Sequence, residues 1–410
     1  MVTSTITHVT RAAPSVLELV RSVDYGGRTV RILAGVEGLR KHGFEVALAT
    51  FAAPTADALR RHPSLRECIV LGLSSHFDPR AIVRLHRLIR NRGIALIHAH
   101  SEDAYLYGGL AALWNRIPII GTFHRSTPDS YEPKRASRLW NALLTHQVAV
   151  SRDRLLMMLS QSRTPPDRIS LIWGAADVGR FHSVPHEERL RLRNQLGIPL
   201  GNIALLGVGH LGLIKGHDLS IRAMPAILSE FPAARLFLAG EGRQEDCVRV
   251  QRLISDLGLT RHVDLLGHIN NPEEWMAACD IFVQPPRDEA FGLVFAEASS
   301  ACCPIVATAV GGIPEIVVHD ETGLLVPRED VAALSIAVLK LLRDPHLRRE
   351  LGARAQVRAH THFTSEAMAA AYAGLAHRLL QTPCSTLPRA GLAADPSELQ
   401  HCSHNMATKL

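Results

Sequence analysis

Arg287-Asp288-Glu289-Ala290-Phe291-Gly292-Leu293-Val294-Phe295-Ala296-Glu297 is the stretch on which the reading of this 410-residue chain turns. The apolar run Ile281 to Gln284 in front of it reads as a strand, closed by Pro285-Pro286. Glu289 then falls in a loop, Gly292 opens a helix, and Glu297 lies one to two turns inside it. The unpaired N–H groups and dipole of a helix start favour an anion there. Two carboxylates bracketing that start are natural acceptors for a sugar hydroxyl and a ribose hydroxyl. The spacing by itself fits equally a loop acid followed by a solvated helical acid, and both readings stay open at this point.

Strand–loop–helix units recur on either side. Upstream, Ile6 to Val9 reads as a strand, Gly27 to His42 as a helix stopped by Gly43, and Glu45 to Thr50 and Cys68 to Leu71 as strands. Helix Pro79 to Arg92, strand Leu96 to Ala99, helix Ala104 to Trp114, and strands Pro118 to Thr122, Gln147 to Val150 and Ile169 to Ile172 complete a first half. The polar segment His182 to Gly201 reads as a hinge with one charged helix. The rhythm restarts at strand Ile203 to Val208 and runs through helix His217 to Glu230, strand Arg235 to Ala239, helix Glu245 to Leu257, strand Val263 to Leu266 and helix Pro272 to Ala278. Helix Gly292 to Ala301 and strands Pro304 to Thr308 and Leu324 to Val326 follow the opening stretch. After Asp330 come two helices, and the last, Ser365 to Leu380, is alanine-rich; residues 381–410 lose all periodicity and read as a disordered tail. A β-α-β rhythm implies parallel strands covered by helices. The expected class is therefore α/β: two doubly wound, Rossmann-like domains with a cleft at the carboxyl ends of their strands, where such sheets bind ligands.

Composition narrows the class of function. A chain of this length suits about two domains. With 47% hydrophobic and 20% charged residues it is an ordinary globular protein. A net charge of +6 favours anionic partners but is not concentrated enough for nucleic acid, and no nucleic-acid motif appears. Seven scattered cysteines without a C-x-x-C pair read as reduced thiols, and no apolar run approaches a membrane span or a secretory signal, so the expected location is cytoplasmic.

Three further groups carry chemistry. Gly207-Val-Gly209-His210-Leu-Gly212-Leu-Ile-Lys215-Gly216 lies between a strand and a helix, where glycines admit phosphate and Lys215 adds a compact positive charge. The same segment matches the dinucleotide fingerprint G-x-G-x-x-G, which supports an NAD(P)-dependent oxidoreductase as the alternative. That fingerprint expects an acid about 20 residues on, whereas Glu241 stands 34 residues after Gly207. Gly26-Gly27 opens the first helix opposite this loop, as a phosphate cover or a plain flexible entry. Thr122-Phe-His124 ends a strand, so His124 either faces the cleft to orient a hydroxyl or is structural. His98 and His100 share one face of a strand end, but the sequence offers no third metal ligand beside them and no D-x-D pair to mount a divalent ion.

Together these pieces resemble glycosyltransferase family 4, the retaining enzymes of GT-B fold. Glu289 to Glu297 looks like the family's E-x7-E motif, and Pro304-Ile-Val-Ala-Thr-Ala-Val-Gly-Gly-Ile-Pro-Glu315 like its P-V-V-A-T-x-x-G-G-x-x-E. Glu321-Thr-Gly-Leu-Leu-Val326, Ala239-Gly-Glu-Gly242 and Lys215-Gly216-His-Asp218 resemble further family elements, and the likeness runs from about residue 5 to 380.

The resemblance implies an N-terminal acceptor-binding domain at 1–182, a hinge at 183–201, a nucleotide-sugar donor domain at 202–361 and a helix at 362–380 crossing back to the first domain. It implies catalytic roles for Lys215 at the diphosphate, Glu289 at the donor sugar and His124 near the transferred sugar. The donor-binding set is Gly26, Gly27, Gly209, His210, Lys215, Glu289, Phe291, Gly292, Leu293 and Glu297, with Glu297 on the ribose. The expected reaction is retaining transfer from a nucleoside-diphosphate sugar to a hydroxyl of a glycan, lipid-linked or small-molecule acceptor, as in polysaccharide biosynthesis, with no metal or other cofactor. A catalytically silent sugar-nucleotide-binding protein is a further alternative. Three positions depart from the family: His210 stands for arginine, Cys302 for glycine and Gly174-Ala175 for Asn-Gly. Arg80, Arg84, Arg87, Arg90 and Arg92, with Lys134, Arg135 and Arg138, form a candidate basic face for an anionic membrane surface on the cytoplasmic side, or else a solvated amphipathic face.

Overall fold

The computed structural model describes residues 13–24, 26–73, 78–124, 142–161 and 165–382. Two all-parallel sheets organise it. The first contains β1 (Ser15–Val20), β2 (Glu45–Thr50), β3 (Ile69–Val70), β4 (Ile94–Ala99), β5 (Ile119–Phe123), β6 (His146–Ala149) and β7 (Ile169–Leu171) in the order β3-β2-β1-β4-β5-β6-β7. The second contains β8 (Ile203–Val208), β9 (Ala234–Ala239), β10 (Val263–Gly267), β11 (Ile281–Gln284), β12 (Ile305–Thr308) and β13 (Leu324–Val326) in the order β10-β9-β8-β11-β12-β13. Parallel sheets need helices on both faces, so their strands are apolar almost throughout. β1 illustrates this: every residue of Ser-Val-Leu-Glu-Leu-Val is buried.

Each sheet reverses its winding once, between β1 and β4 and between β8 and β11. Loops leaving the carboxyl ends diverge at such points and leave a crevice. The first crevice is bordered by helix α1 (Gly27–Lys41) and, after β2, by the short helix α2 (Ala56–Arg61). Helix α3 (Pro79–Arg92) is capped by Asp78 and ends at Gly93 with φ +60°; helix α4 (Glu102–Asn115) is capped by Ser101. Helix α5 (Arg152–Gln161) follows β6. Helix α6 (His186–Gln195) lies between the halves. Its Arg189 and Arg193 reach Asp280 at 2.7 and 3.1 Å, which holds this connector to the second half. The second half adds α7 (His217–Glu230), α8 (Gln244–Asp256), α9 (Pro272–Ala278), α10 (Leu293–Ser300), the single turn α11 (Ile313–Ile316), α12 (Val331–Arg343) and α13 (Pro345–His362). The last helix, α14 (Ser365–Gln381), packs on α1, where a Cβ at Gly38 would stand 2.2 Å from that of Ala369. Its Met368, Tyr372, Leu375 and Leu379 join the core of the first half.

Several elements differ from the sequence reading. The strand expected at Ile6–Val9 and most of the 381–410 tail lie outside the described residues, and the first described strand is Ser15–Val20. The lone acid Glu18 in that run masks it as a strand, because a buried carboxylate needs partners that sequence does not reveal. Helices α2 and α5 were also not anticipated; α2 is only six residues long. Three helices, not two, follow Asp330.

Cys302, just after α10, holds φ +59°, a left-handed conformation that costs a side chain about 1 kcal/mol. Cys302→Gly is therefore expected to raise unfolding free energy by about 1 kcal/mol. Equilibrium urea unfolding followed by circular dichroism measures it, and an unchanged or lower midpoint would refute the strain.

Candidate active site in the central cleft

The two switch points face each other across a cleft of about 2180 Å³. A pocket for one small ligand occupies roughly 300–1,000 Å³, so the space accommodates two substrates side by side. Its walls include Gly26, Gly27 and His124 from the first half, and Gly209, His210, Lys215, Glu289, Phe291, Gly292, Leu293 and Glu297 from the second. All the sequence-chosen site residues thus border one space.

On the second half, three loops meet. Lys215 Nζ stands 2.6 Å from Glu289 Oε2, with Glu289 only 8% exposed. The residues anticipated at separate ends of a donor are therefore an ion pair, and a ligand at Lys215 has to share the ammonium with Glu289. Arg287 locks the two loops together. Its guanidinium binds both carboxylate oxygens of Asp218 at 2.8 and 2.9 Å and the carbonyl of Leu213 at 2.5 Å. Gln284, at the end of β11, receives Val208 N–H on its carbonyl and donates its amide to Lys215 O. Close backbone approach completes the arrangement: Cβ atoms at Gly216 and Gly311 would lie 1.9 Å from Pro285 O and Glu289 O.

His210 is exposed, and its Nδ1 accepts from Gly212 N–H at 3.0 Å, which leaves the ring proton on Nε2. Where the family has arginine, the loop thus offers one neutral N–H. Gly292 (φ +97°) caps α10 and sets Phe291 against Phe363 and against the bare Cα of Gly174, whose Cβ would come within 2.5 Å of the Phe291 ring. The glycine at 174 is explained by that contact. One turn into α10, Glu297 carries no hydrogen bond from the described residues. Burial pushes its carboxyl up to about 7; Glu273 and Asp177 add to the shift, and Arg180 opposes it.

The first half contributes Gly27, whose Cβ would sit 3.0 Å from Leu293 Cδ1 across the cleft, and His124. His124 Nε2 lies 3.0 Å from His100 Nδ1, and His100 Nε2 lies 2.5 Å from Glu18 Oε2. His98 Nδ1 meets the other oxygen of Glu18 at 3.1 Å. The sequence offered no third group beside His98 and His100; the structure supplies Glu18, with ligand atoms of all three within 4.8 Å of one another. Ligands around a tetrahedral ion at ~2.1 Å stand about 3.4 Å apart. Contacts of 3.1 and 2.5 Å through separate carboxylate oxygens instead fit a carboxylate accepting two imidazole N–H groups.

Sequence reasoning also missed the groups that join the halves. Glu315 Oε1 accepts from Arg152 N–H at 2.7 Å at the start of α5, and Oε2 accepts from the Trp173 indole at 2.7 Å. The buried Arg154 pairs with Asp288, inside the opening motif. A signal existed for Glu315, the acid ending the G-G-x-x-E run, but none for its partners.

The family model described as Glycosyl transferases group 1 matches residues 188–358, and that described as Glycosyltransferase Family 4 matches residues 25–180. The D-inositol 3-phosphate glycosyltransferase of Corynebacterium glutamicum is 30% identical over 374 residues, covering 82% of this chain and 88% of that protein. The enzyme of the same name from Corynebacterium efficiens is 29% identical over 365 residues, covering 80% and 85%. Among solved structures, Anabaena HepE in complex with UDP-glucose matches with a TM-score of 0.79 at 21% identity, over 89% of this chain and 99% of that one. Sucrose-phosphate synthase from Thermosynechococcus elongatus matches at 0.76 and 22%, over 90% and 99%. At these identities the structural likeness is one of fold, and the fold is GT-B.

Proposed function

Because this chain belongs to glycosyltransferase family 4 and is a glycosyltransferase, we propose that it moves a sugar from a nucleoside diphosphate to an acceptor hydroxyl with retention of configuration. The observation that carries this reading is the Lys215–Glu289 pair beside the α10 start, in a cleft with room for donor and acceptor. The bond that breaks expels a diphosphate, and Lys215 with the N–H groups at Gly292 and Leu293 stabilises the developing charge. Glu289 orients the donor sugar and holds Lys215 in place. Glu297 accepts from the ribose hydroxyls. The structural neighbour described as a UDP-glucose complex supports a uridine nucleotide as the first donor to test.

Retention proceeds by attack on the face the diphosphate leaves, with the departing phosphate taking the hydroxyl proton. A covalent route needs a free carboxylate at the anomeric carbon, and Glu289 and Asp288 are each committed to a cation. The oxidoreductase alternative drawn from Gly207 to Gly212 is set aside by the family. The acceptor is a glycan, a lipid-linked saccharide or a small polyol; the relatives named D-inositol 3-phosphate glycosyltransferase put inositol 3-phosphate on the panel.

A second partner is an anionic membrane surface. No helix among the described residues is long and apolar enough to cross a membrane. On α3, however, Arg80, Arg87, Arg90 and Arg92 are exposed, and next to it Trp114 stacks on His86 while 54% exposed. An exposed tryptophan beside arginines fits a lipid headgroup layer. Arg84 is taken up by Asp78, and Lys134, Arg135 and Arg138 lie outside the described residues.

Mass-spectrometric screening of nucleotide sugars against an acceptor panel tests the reaction; absence of glycosyl transfer with every donor would refute it. With the identified donor, Lys215→Ala is expected to lower kcat by roughly 10²–10³-fold, about 3–4 kcal/mol, and near-wild-type turnover would remove the lysine from the mechanism. Donor affinity should rise as pH increases through about 7, because only the ionised Glu297 accepts from both ribose hydroxyls. Calorimetric titration reads this, and Glu297→Gln should flatten the dependence; a profile identical in the two proteins would refute the role. Cosedimentation with vesicles should require acidic lipid and fall in Arg87→Glu/Arg90→Glu, whereas binding indifferent to lipid charge would refute the membrane face.

A further inference from the structure

His124 is the visible end of a hydrogen-bonded line that runs into the middle of the first sheet. Arg31 Nη2 donates to Tyr372 Oη at 3.1 Å. With that oxygen accepting, the tyrosine O–H is directed to Thr122 Oγ1 at 3.0 Å, and the threonine O–H to His98 Nε2 at 2.8 Å. His98 Nδ1–H then donates to Glu18 Oε1 at 3.1 Å. The other oxygen of Glu18 faces His100 Nε2 at 2.5 Å, and His100 Nδ1 faces His124 Nε2 at 3.0 Å. Glu18 is 1% exposed, His98 4% and His100 5%, so water is not on hand to substitute for any of these three.

Donor and acceptor counting leaves one arrangement. An ionised carboxylate only accepts, so His100 carries its proton on Nε2. A neutral imidazole has a single N–H, so His100 Nδ1 is a lone pair and the group opposite it, His124 Nε2, is the donor. The lone pair of His124 is thereby placed on Nδ1, the nitrogen not used by His100, on a ring that lines the cleft. The protonation states agree with this pattern. Burial alone would raise the Glu18 carboxyl, but the flanking His98 and His100 hold it at about 2. Burial, with His98 beside it, lowers His100 to about 4, and burial with His100 and Arg31 keeps His124 well below the usual histidine value.

We propose that Glu18 and His100 are positioning residues that fix His124 in the Nε2–H tautomer, so that this wall of the cleft presents a hydrogen-bond acceptor and selects its substrate by a hydroxyl group that donates to Nδ1. The proposal rests on the reading of the cleft as a sugar-transfer site. A histidine free to change tautomer would also offer an N–H and admit a carbonyl, carboxylate or phosphate oxygen at the same place. With the line intact it discriminates against them, because two lone pairs face each other. The restraint resembles the outer partner that sets the tautomer of a metal-bound or catalytic histidine, with a second histidine interposed.

The direct test uses the full chain labelled with ¹⁵N in its histidine rings, His124 being assigned by the signal lost in His124→Gln. At neutral pH, His124 is expected to show a protonated Nε2 and an unprotonated Nδ1; the opposite tautomer, or a doubly protonated ring, overturns the proposal without the need for any variant of the line. Glu18→Gln places an amide N–H₂ against one of the two imidazoles, and His100→Phe keeps volume while removing the acceptor. In whichever of these melts like the wild type, the His124 tautomer should become mixed or reversed. There kcat/KM should fall roughly ten- to hundred-fold, as when an outer partner orienting a histidine is lost. Nucleoside-diphosphate affinity should stay unchanged. A changed tautomer with unchanged kcat/KM overturns the selective role. Wild-type protein that transfers no sugar refutes the proposed reaction and not the tautomer, whereas turnover by a protein whose His124 carries its proton on Nδ1 refutes the relay alone.

Discussion

Three chain crossings at the carboxyl edge of the second sheet are packed backbone against backbone, and the rest of the site depends on that contact. The loop after β8 touches the loop after β11 at Gly216 and Pro285, and the loop after β12 touches it at Gly311 and Glu289. Gly216 (φ +71°) and Gly311 (φ +53°) hold left-handed conformations while leaving no room for a Cβ. Gly312 N–H caps the carbonyl of Glu289 at 3.0 Å, so the main chain under the carboxylate is held from both sides. Only with the backbones this close can Lys215, carried by one loop, reach Glu289, carried by another. The half-buried pair has its geometry fixed by loops rather than by its own attraction, which desolvation largely offsets.

The same economy joins the two halves. Glu315 sits one helical turn from Gly311-Gly312 and accepts from the start of α5 and from Trp173, both in the first half. Asp288, adjacent to Glu289, takes the buried Arg154. The motif that shapes the proposed donor side therefore also sets where the first half stands, and the position of His124 relative to Glu289 follows from contacts made by neighbours of the catalytic candidates. The last helix reinforces this from the other side: Tyr372 on α14 reaches Thr122 and Arg31, so the wall behind His124 includes a residue from the far end of the chain.

The two walls of the cleft place their functional candidates differently. On the second half a lysine, a helix start without a side-chain cap and a carboxylate of raised affinity for protons meet in a space open to ligand, which suits binding and release of a charged leaving group. On the first half Glu18 and Arg31 are buried, and His124 borders the cleft together with charged side chains such as Asp24 and Arg28. Burial of Glu18 is tolerable because both its oxygens are hydrogen-bonded. The polarity proposed for His124 suits that part of the wall to recognising a hydroxyl.

Local sequence determined much of this protein. Alternating apolar strands and helical periods gave two parallel sheets, because a strand covered on both faces must be apolar whatever its neighbours. The residues proposed for the donor side were legible for a similar reason: Lys215, Glu289 and Gly292 lie in short loops at strand ends, with Glu297 in the helix that follows, and there glycine and charge signal a turn that can approach a ligand. The strain at Cys302 and the helix start at Gly27 were equally local. The tertiary structure alone decided which charges meet. Glu18 looks like an interruption in a hydrophobic run until β4 aligns with β1 and brings His98 beside it across the sheet. The pairing of Lys215 with Glu289, of Arg154 with Asp288 and of Glu315 with Trp173 spans 74, 134 and 142 positions. Hydrogen bonds and ion pairs between distant segments leave no periodicity in sequence, because each partner satisfies only its own local rule. Their geometry exists only once the sheets and loops have fixed where the two backbones run.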